Sequence, residues 1–174
     1  MGQNFDLTAL YQDIRERAAR GERALFKLTP ELFAPLKAAL NESSQRGRAL
    51  FILAHASHSE RELEETLIKI ETKTLTSEEA VWLLNCYRKH IIHARFKDGD
   101  RLTHEFIEKI REWLFHDDKA VVEWVLRTID ECSSQGIVFR PELAKIKPSI
   151  WSLWRAESRT ILELITYLER KWSP

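Results

Sequence analysis

Apolar residues recurring at three- and four-residue spacing, few turn formers and no sustained two-residue alternation predict an all-α protein. Only five glycines and five prolines occur in 174 residues, too few to punctuate a many-turned β protein. Hydrophobic residues make up 44% and charged residues 31%, a balance that favours a packed core over disorder. At this length a core forms without metal or disulfide support. A single domain spanning residues 1–174 is expected, with an irregular connector near 136–148.

The elements follow in order. Leu7, Leu10, Tyr11, Ile14 and Ala18 share one face of a first helix that Gly21 ends. Leu25, Phe26 and Leu28 lead into Thr29-Pro30, a helix start with proline in the first position. Leu32, Phe33, Leu36, Ala39 and Leu40 form its stripe, and Pro35 either bends that helix or begins it. Ser43, Ser44 and Gly47 read as a loop before Leu50, Phe51, Leu53 and Ala54. Ser59 with Glu62, and Thr76 with Glu79, have the spacing of capping boxes. In each the hydroxyl accepts a backbone N–H three residues on while the glutamate reaches back. The first opens a helix with Leu63, Leu67 and Ile70 inward. The second opens a longer one carrying Ala80, Leu83, Leu84, Tyr87, Ile91 and Ala94.

Lys97-Asp98-Gly99-Asp100 is the clearest turn. Beyond it lies the most informative stretch, Phe106 to Cys132, an amphipathic helix, an Asp117-Asp118 corner and a second apolar helix. Gln135-Gly136 closes that pair, and Arg140 to Pro148 reads as the connector. A short Trp151–Trp154 segment precedes a last helix with Ile161, Ile165, Leu168 and Trp172 inward.

Helix starts near Pro30, Glu60, Leu102 and Ser149 recur at the span of solenoid repeats. Ile107, Ile110, Leu114, Asp117 and Val121 resemble the pattern of HEAT repeats, in which leucine-type residues on one helix precede an aspartate turn and a valine on the next. Thr29 to Leu53 is similar but looser. Val122 stands where such repeats commonly carry arginine, and Lys119-Ala120 where a proline is usual. The resemblance implies stacked antiparallel helix pairs, a short HEAT- or armadillo-like α-solenoid, whose surface grips a partner. A compact helical bundle gives the same periodicity and stays open as the alternative.

Charge excludes little. With 27 basic and 27 acidic residues the net charge is zero, which gives no support for nucleic-acid or membrane affinity from the chain as a whole. Locally, seven acids face three bases from Glu60 to Glu79, and five bases face two acids from Arg88 to Arg101. Such blocks are either solvated faces or surfaces that steer a partner or a second copy of the chain. No apolar run approaches a membrane span. The N-terminus carries acids and no continuous apolar run, so no secretory signal is read there. Asp6 fills the slot where an N-myristoylation motif needs Ser or Thr. A cytoplasmic location is expected, with Cys86 and Cys132 as buried free thiols.

Two surfaces are the expected partner-binding sites: Arg88, Lys89, Arg95 and Lys97 as a basic patch, and Trp151, Trp154 and Arg155 as an aromatic one. The alternative for the two tryptophans is a plug at the end of the core. Trp82, Trp124, Phe115 and Tyr167 also sit off the main stripes of their helices. Cys86, His90 and His93, at i, i+4 and i+7, are the weak candidates for a metal, with His55 and His58 conceivably nearby. One helix seldom supplies three ligands, so no metal or other cofactor is expected. Glu62, Glu64, Glu65, Glu78 and Glu79 sit where helix N-termini favour negative charge and need no catalytic explanation. No phosphate loop, nucleophile elbow or dinucleotide fingerprint occurs.

The expected function is therefore a non-enzymatic protein–protein interaction module or adaptor, with another protein or a second copy as partner. The alternative is nucleic-acid binding. Arg140, Lys145, Lys147, Trp151, Trp154, Arg155 and Arg159 supply cations and aromatics in one stretch. Helical-repeat proteins of similar architecture, alkylpurine DNA glycosylases among them, hold duplex backbone with such side chains.

Overall fold

The computed structural model describes residues 6–22 and 27–173, so Leu25 and Phe26 of the expected lead into the second helix lie outside the described residues. Every regular element among those described is helical, as the periodicity predicts. No helix among them is long and apolar enough to cross a membrane. Where the sequence suggests one domain, the contacts fall into two compact units, Met1–Ala94 and Arg95–Pro174.

In the first unit, α1 (Leu7–Ala19) is capped by Asp6, whose Oδ1 accepts the N–H groups of Thr8 and Ala9 at 2.9 and 3.1 Å. Gly21, at φ +72°, ends it as expected. The N–H of Glu22 reaches the Arg17 carbonyl and that of Gly21 the Ala18 carbonyl, a Schellman closure that needs a left-handed residue. α2 (Pro30–Asn41) starts at Pro30 and continues through Pro35, so Pro35 does not begin it.

α3 (Ser43–Ala54) corrects the sequence reading, because Ser43, Ser44 and Gly47 belong to its first turns rather than to a loop. A single glycine costs a helix only about 1 kcal/mol, which packing overrides. Gly47 leaves room for a neighbour: a Cβ there would lie 2.8 Å from Glu79 Oε1. Ala49, Leu50, Phe51, Ile52 and Leu53 are all buried, five in succession. A helix apolar on every side must be covered on every side. α1, α2 and α5 (Ser77–Cys86) all pack on α3.

Between α3 and α5 lie α4 (Glu64–Ile68) and two 3₁₀ turns, Arg61–Leu63 and Thr72–Thr74. The Thr76–Glu79 capping box forms in full, but the Ser59–Glu62 box does not: the Arg61–Leu63 turn starts at Glu60 without a side-chain cap. α5 runs on into π-helical turns at Tyr87–His93 and then α6 (Ala94–Lys97).

In the second unit, α7 (His104–Leu114) and α8 (Lys119–Glu131) form the expected pair. Phe106, Ile110, Trp113 and Leu114 from one, and Val121, Val122, Val125 and Ile129 from the other, are buried. Of the two corner aspartates, Asp118 does the capping, its Oδ1 accepting the Ala120 N–H at 2.9 Å. The expected irregular connector is instead helical: a 3₁₀ segment, Ser133–Phe139, leads directly into α9 (Arg140–Ile146), with Pro141 in its first turn where no N–H is missed. α10 (Ala156–Lys171) packs on α8 and α9 on α7. Ser133 bends the exit from α8 at φ +54°, and its carbonyl accepts Trp172 Nε1–H at 3.3 Å.

Candidate functional site

The exposed aromatic surface forms where α9 gives way to α10. Pro148 cannot extend α9, and Ser149 is extended at φ −71°, ψ 155°. A 3₁₀ turn, Ile150–Ser152, follows, closed by Ser152 N–H and Oγ–H donating to the Ser149 carbonyl at 2.9 and 2.7 Å. Leu153 N–H reaches Ile150 and Arg155 N–H reaches Ser152 before α10 begins. The backbone of this corner is satisfied by short-range bonds while its large apolar side chains are not covered. Ile150 is 84% exposed, Trp151 88% and Trp154 74%. The tryptophans do not plug the core. Arg155 lays its guanidinium 4.8 Å from the Trp154 ring centroid, a cation–π pair at the surface.

The sequence singles out the two tryptophans and Arg155 but passes over Ile150, the apolar residue that completes the corner. The available signal was its position in a Pro- and Ser-flanked segment too short to present a buried stripe. Nearby cations differ in engagement. Lys147 holds Glu169 at 2.9 Å, whereas Arg140, Lys145 and Arg159 are exposed.

The basic patch is divided. Arg88 and Lys89 belong to the first unit, Arg95 and Lys97 to the second. Lys89 is turned inward, its Nζ donating to the carbonyls of Ala54 and Ala56 at 2.8 and 2.6 Å. Burial lowers its pKa. Arg88 is half-buried beside Asn85, Arg95 donates to the Arg101 carbonyl at 2.9 Å, and Lys97 is exposed.

The metal trio does not converge. Cys86 is fully buried with its thiol on the Leu50 carbonyl at 3.4 Å, and burial pushes its pKa up. His90 is fully buried with both ring nitrogens occupied, and burial lowers its pKa to about 4. His93 is exposed. The π-helical turns lower the angle advanced per residue, so His93, seven beyond Cys86, leaves the flank that Cys86 and His90 keep against α3. His55 donates to Phe51 O at 2.8 Å and His58 pairs with Glu60 at 2.9 Å. No group of three or more His, Cys, Asp or Glu among the described residues is placed to hold a metal ion. Cys132 is also buried, and burial pushes its thiol up to about 12.

Of the off-stripe aromatics, Trp82 packs edge-to-face on Phe51 with centroids 4.9 Å apart. Trp124 is half-buried under Arg127, while Phe115 and Tyr167 are about half exposed. Tyr11, Phe51 and Trp82, from three separate helices, form one ring cluster that no single stretch of sequence reveals.

The fold places this chain among all-α proteins. It matches no family model, no curated protein and no solved structure in the comparisons.

Proposed function

We propose that this chain is a non-enzymatic, cytoplasmic protein-binding module of HEAT-like character, with the Ile150–Arg155 corner as its docking surface. One observation carries the reading: Ile150, Trp151 and Trp154 stand 84%, 88% and 74% exposed within five residues. Isolated exposed apolar residues need no explanation, but three large ones together mark a contact surface. Trp and Arg dominate binding hot spots, and the Trp154–Arg155 pair supplies both in a preformed arrangement. The partner is another protein or a second copy of the chain.

A second reading, nucleic-acid binding, draws on the exposed Arg140, Lys145 and Arg159 and on the capacity of exposed tryptophans to stack bases. The test is affinity capture from native lysate at low and moderate salt, with and without nuclease, using wild type and a Trp151→Ser/Trp154→Ser variant. A stoichiometric protein that survives nuclease and is lost with the variant is the expected result. Capture unchanged by the variant would remove this surface. Recovery of nucleic acid alone, with steep salt dependence, would replace the proposal with the second reading.

A further inference from the structure

The Ile150–Arg155 corner carries charge as well as apolar surface. Lys145, in the last turn of α9, leads into the corner, and Arg155 and Arg159 follow it. The Arg159 N–H donates to the Arg155 carbonyl at 3.2 Å, so the two arginines stand one helical turn apart. All three cations are exposed, and none is held in an ion pair among the described residues. The acids near them are engaged elsewhere, with one exception. Glu169 pairs with Lys147 at 2.9 Å, and Glu142, largely buried, pairs with Arg111 at 3.2 Å. Glu157, in the first turn of α10, is the single carboxylate between Lys145 and Arg159. Positive charge is therefore in excess here, in a chain whose net charge is zero. α10 also starts without a side-chain cap, so the positive end of its dipole adds to the same sign.

The apolar half of the corner separates a peptide from a nucleic acid. Single-stranded nucleic acids are held by successive aromatic faces on which bases stack. Ile150 has no such face, and Trp154 already carries Arg155 over its ring at 4.8 Å. That leaves Trp151 alone for stacking. An exposed isoleucine beside an exposed tryptophan instead matches large apolar side chains of a protein segment, the contacts that form the centre of protein interfaces.

We infer that the partner segment docked on this corner is acidic as well as apolar. Its large apolar side chains cover Ile150 and Trp151, and its Asp or Glu carboxylates pair with Arg155 and Arg159. This rests on the corner being the docking surface and adds the charge of what docks there. Arginine accepts a carboxylate in a bidentate, planar fit, and two arginines a turn apart select carboxylates at matching spacing. Exposed charge pairs set partner choice and register more than affinity. Apolar contact therefore holds the segment, and charge chooses it.

The test is selection from a display library of random short peptides on the chain, followed by fluorescence anisotropy of the enriched peptides. The expected sequences set Asp or Glu beside Trp, Phe, Leu or Ile. Arg155→Glu/Arg159→Glu should weaken their binding about tenfold, and exchanging the peptide's acids for lysine should restore it. Trp151→Ser/Trp154→Ser should abolish binding, with the fold of both variants checked by circular dichroism. No enrichment, or enrichment of neutral or basic sequences, would overturn the inference. Loss in the tryptophan variant without loss in the arginine variant would overturn it while leaving the docking surface in place. Loss in neither would remove the corner as a docking surface as well. Oligothymidine bound as tightly as the enriched peptides would replace the acidic segment with a nucleic acid. A homodimer of the chain alone that Trp151→Ser/Trp154→Ser disperses would replace it with a second copy.

Discussion

His90 donates its Nε2–H to the Leu53 carbonyl at 3.0 Å while its Nδ1 accepts the Glu60 backbone N–H, also at 3.0 Å. Because Nδ1 accepts, the ring is the neutral Nε2–H tautomer. The bond forms part of a complete closure of the α3 C-terminus, where the last four carbonyls lack helical partners. Phe51 O takes the His55 ring N–H, Ile52 O the His55 backbone N–H, Leu53 O the Ala56 N–H and His90, and Ala54 O the Lys89 ammonium. Residues that look like a metal trio and a basic patch in sequence thus serve, in Lys89 and His90, as donors to one helix end, while the Cys86 thiol lies on the Leu50 carbonyl just before it. A metal at His90 Nδ1 would have to displace the Glu60 N–H and draw in a thiol whose pKa burial has raised.

This closure has a pH dependence with a defined sign. The folded pKa of His90 lies near 4, below the ordinary value of 6.5, because burial disfavours the charged ring. Between those values the unfolded chain binds more protons than the native one, so stability falls as pH falls. The contribution is intact above about pH 6.5 and lost on passing through about pH 4, amounting to roughly 3 kcal/mol. His90→Gln cannot titrate, so its urea midpoint should lose less than that of wild type between neutral pH and about pH 4.5. Parallel pH profiles for the two proteins would contradict the assignment.

Lys89 offers a complementary test of the same closure. Lys89→Met keeps most of the aliphatic stem but strips the donor from two carbonyls, with an expected loss of about 1–3 kcal/mol. Lys97→Met removes the same charge from an exposed position and should stay within about 0.5 kcal/mol of wild type. Thermal unfolding of both separates internal bonding from net charge. Equal effects would mean that the Lys89 bonds contribute nothing.

What the sequence made legible was local. Phe106 to Cys132 announces its helices because periodicity, caps and corner all lie within one short stretch. Thr76 and Glu79 announce a helix start because both partners of the box are three residues apart. Two of the errors arose where a distant partner decided the outcome. Ser43 to Gly47 resembles a loop until Glu79, from another helix, occupies the space beside Gly47. Ser59 and Glu62 have capping-box spacing, yet the neighbouring Glu60 N–H is taken by His90, thirty residues on. Arg140 to Pro148 looks irregular by its prolines, but Pro141 sits in a first turn that tolerates it. The exposed Trp151 and Trp154 were legible as residue types, and their exposure was not. Spacing does not say whether a neighbouring element reaches far enough to cover a side chain.

The two capping boxes can be compared directly. Thr76→Ala removes the hydroxyl that accepts from Glu79 N–H and loosens the returning carboxylate, with an expected cost of about 1 kcal/mol. Ser59→Ala has the same sequence rationale but removes no cap, so its effect should be within about 0.5 kcal/mol. Denaturant titration of both variants would reveal a comparable loss in each if the Ser59 box formed in solution.

Two glycines with negative φ also separate by what stands beside them. At Gly136 a Cβ would lie 2.7 Å from Trp172 Cζ2 and 3.0 Å from the Ile129 carbonyl, an indole and a helix backbone with little freedom to yield. Trp172 is further held by its bond to the Ser133 carbonyl and is only 9% exposed. Overpacking of this kind costs about 1–3 kcal/mol, so Gly136→Ala should lower the melting temperature clearly. At Gly47 the closest atom is Glu79 Oε1, the far end of a flexible side chain. Alanine there gains helix propensity of about 1 kcal/mol while displacing a carboxylate whose cap is of similar value. The two effects nearly cancel, and Gly47→Ala should leave stability close to wild type. A large loss at Gly47 with little change at Gly136 would reverse this assignment of which contact is rigid.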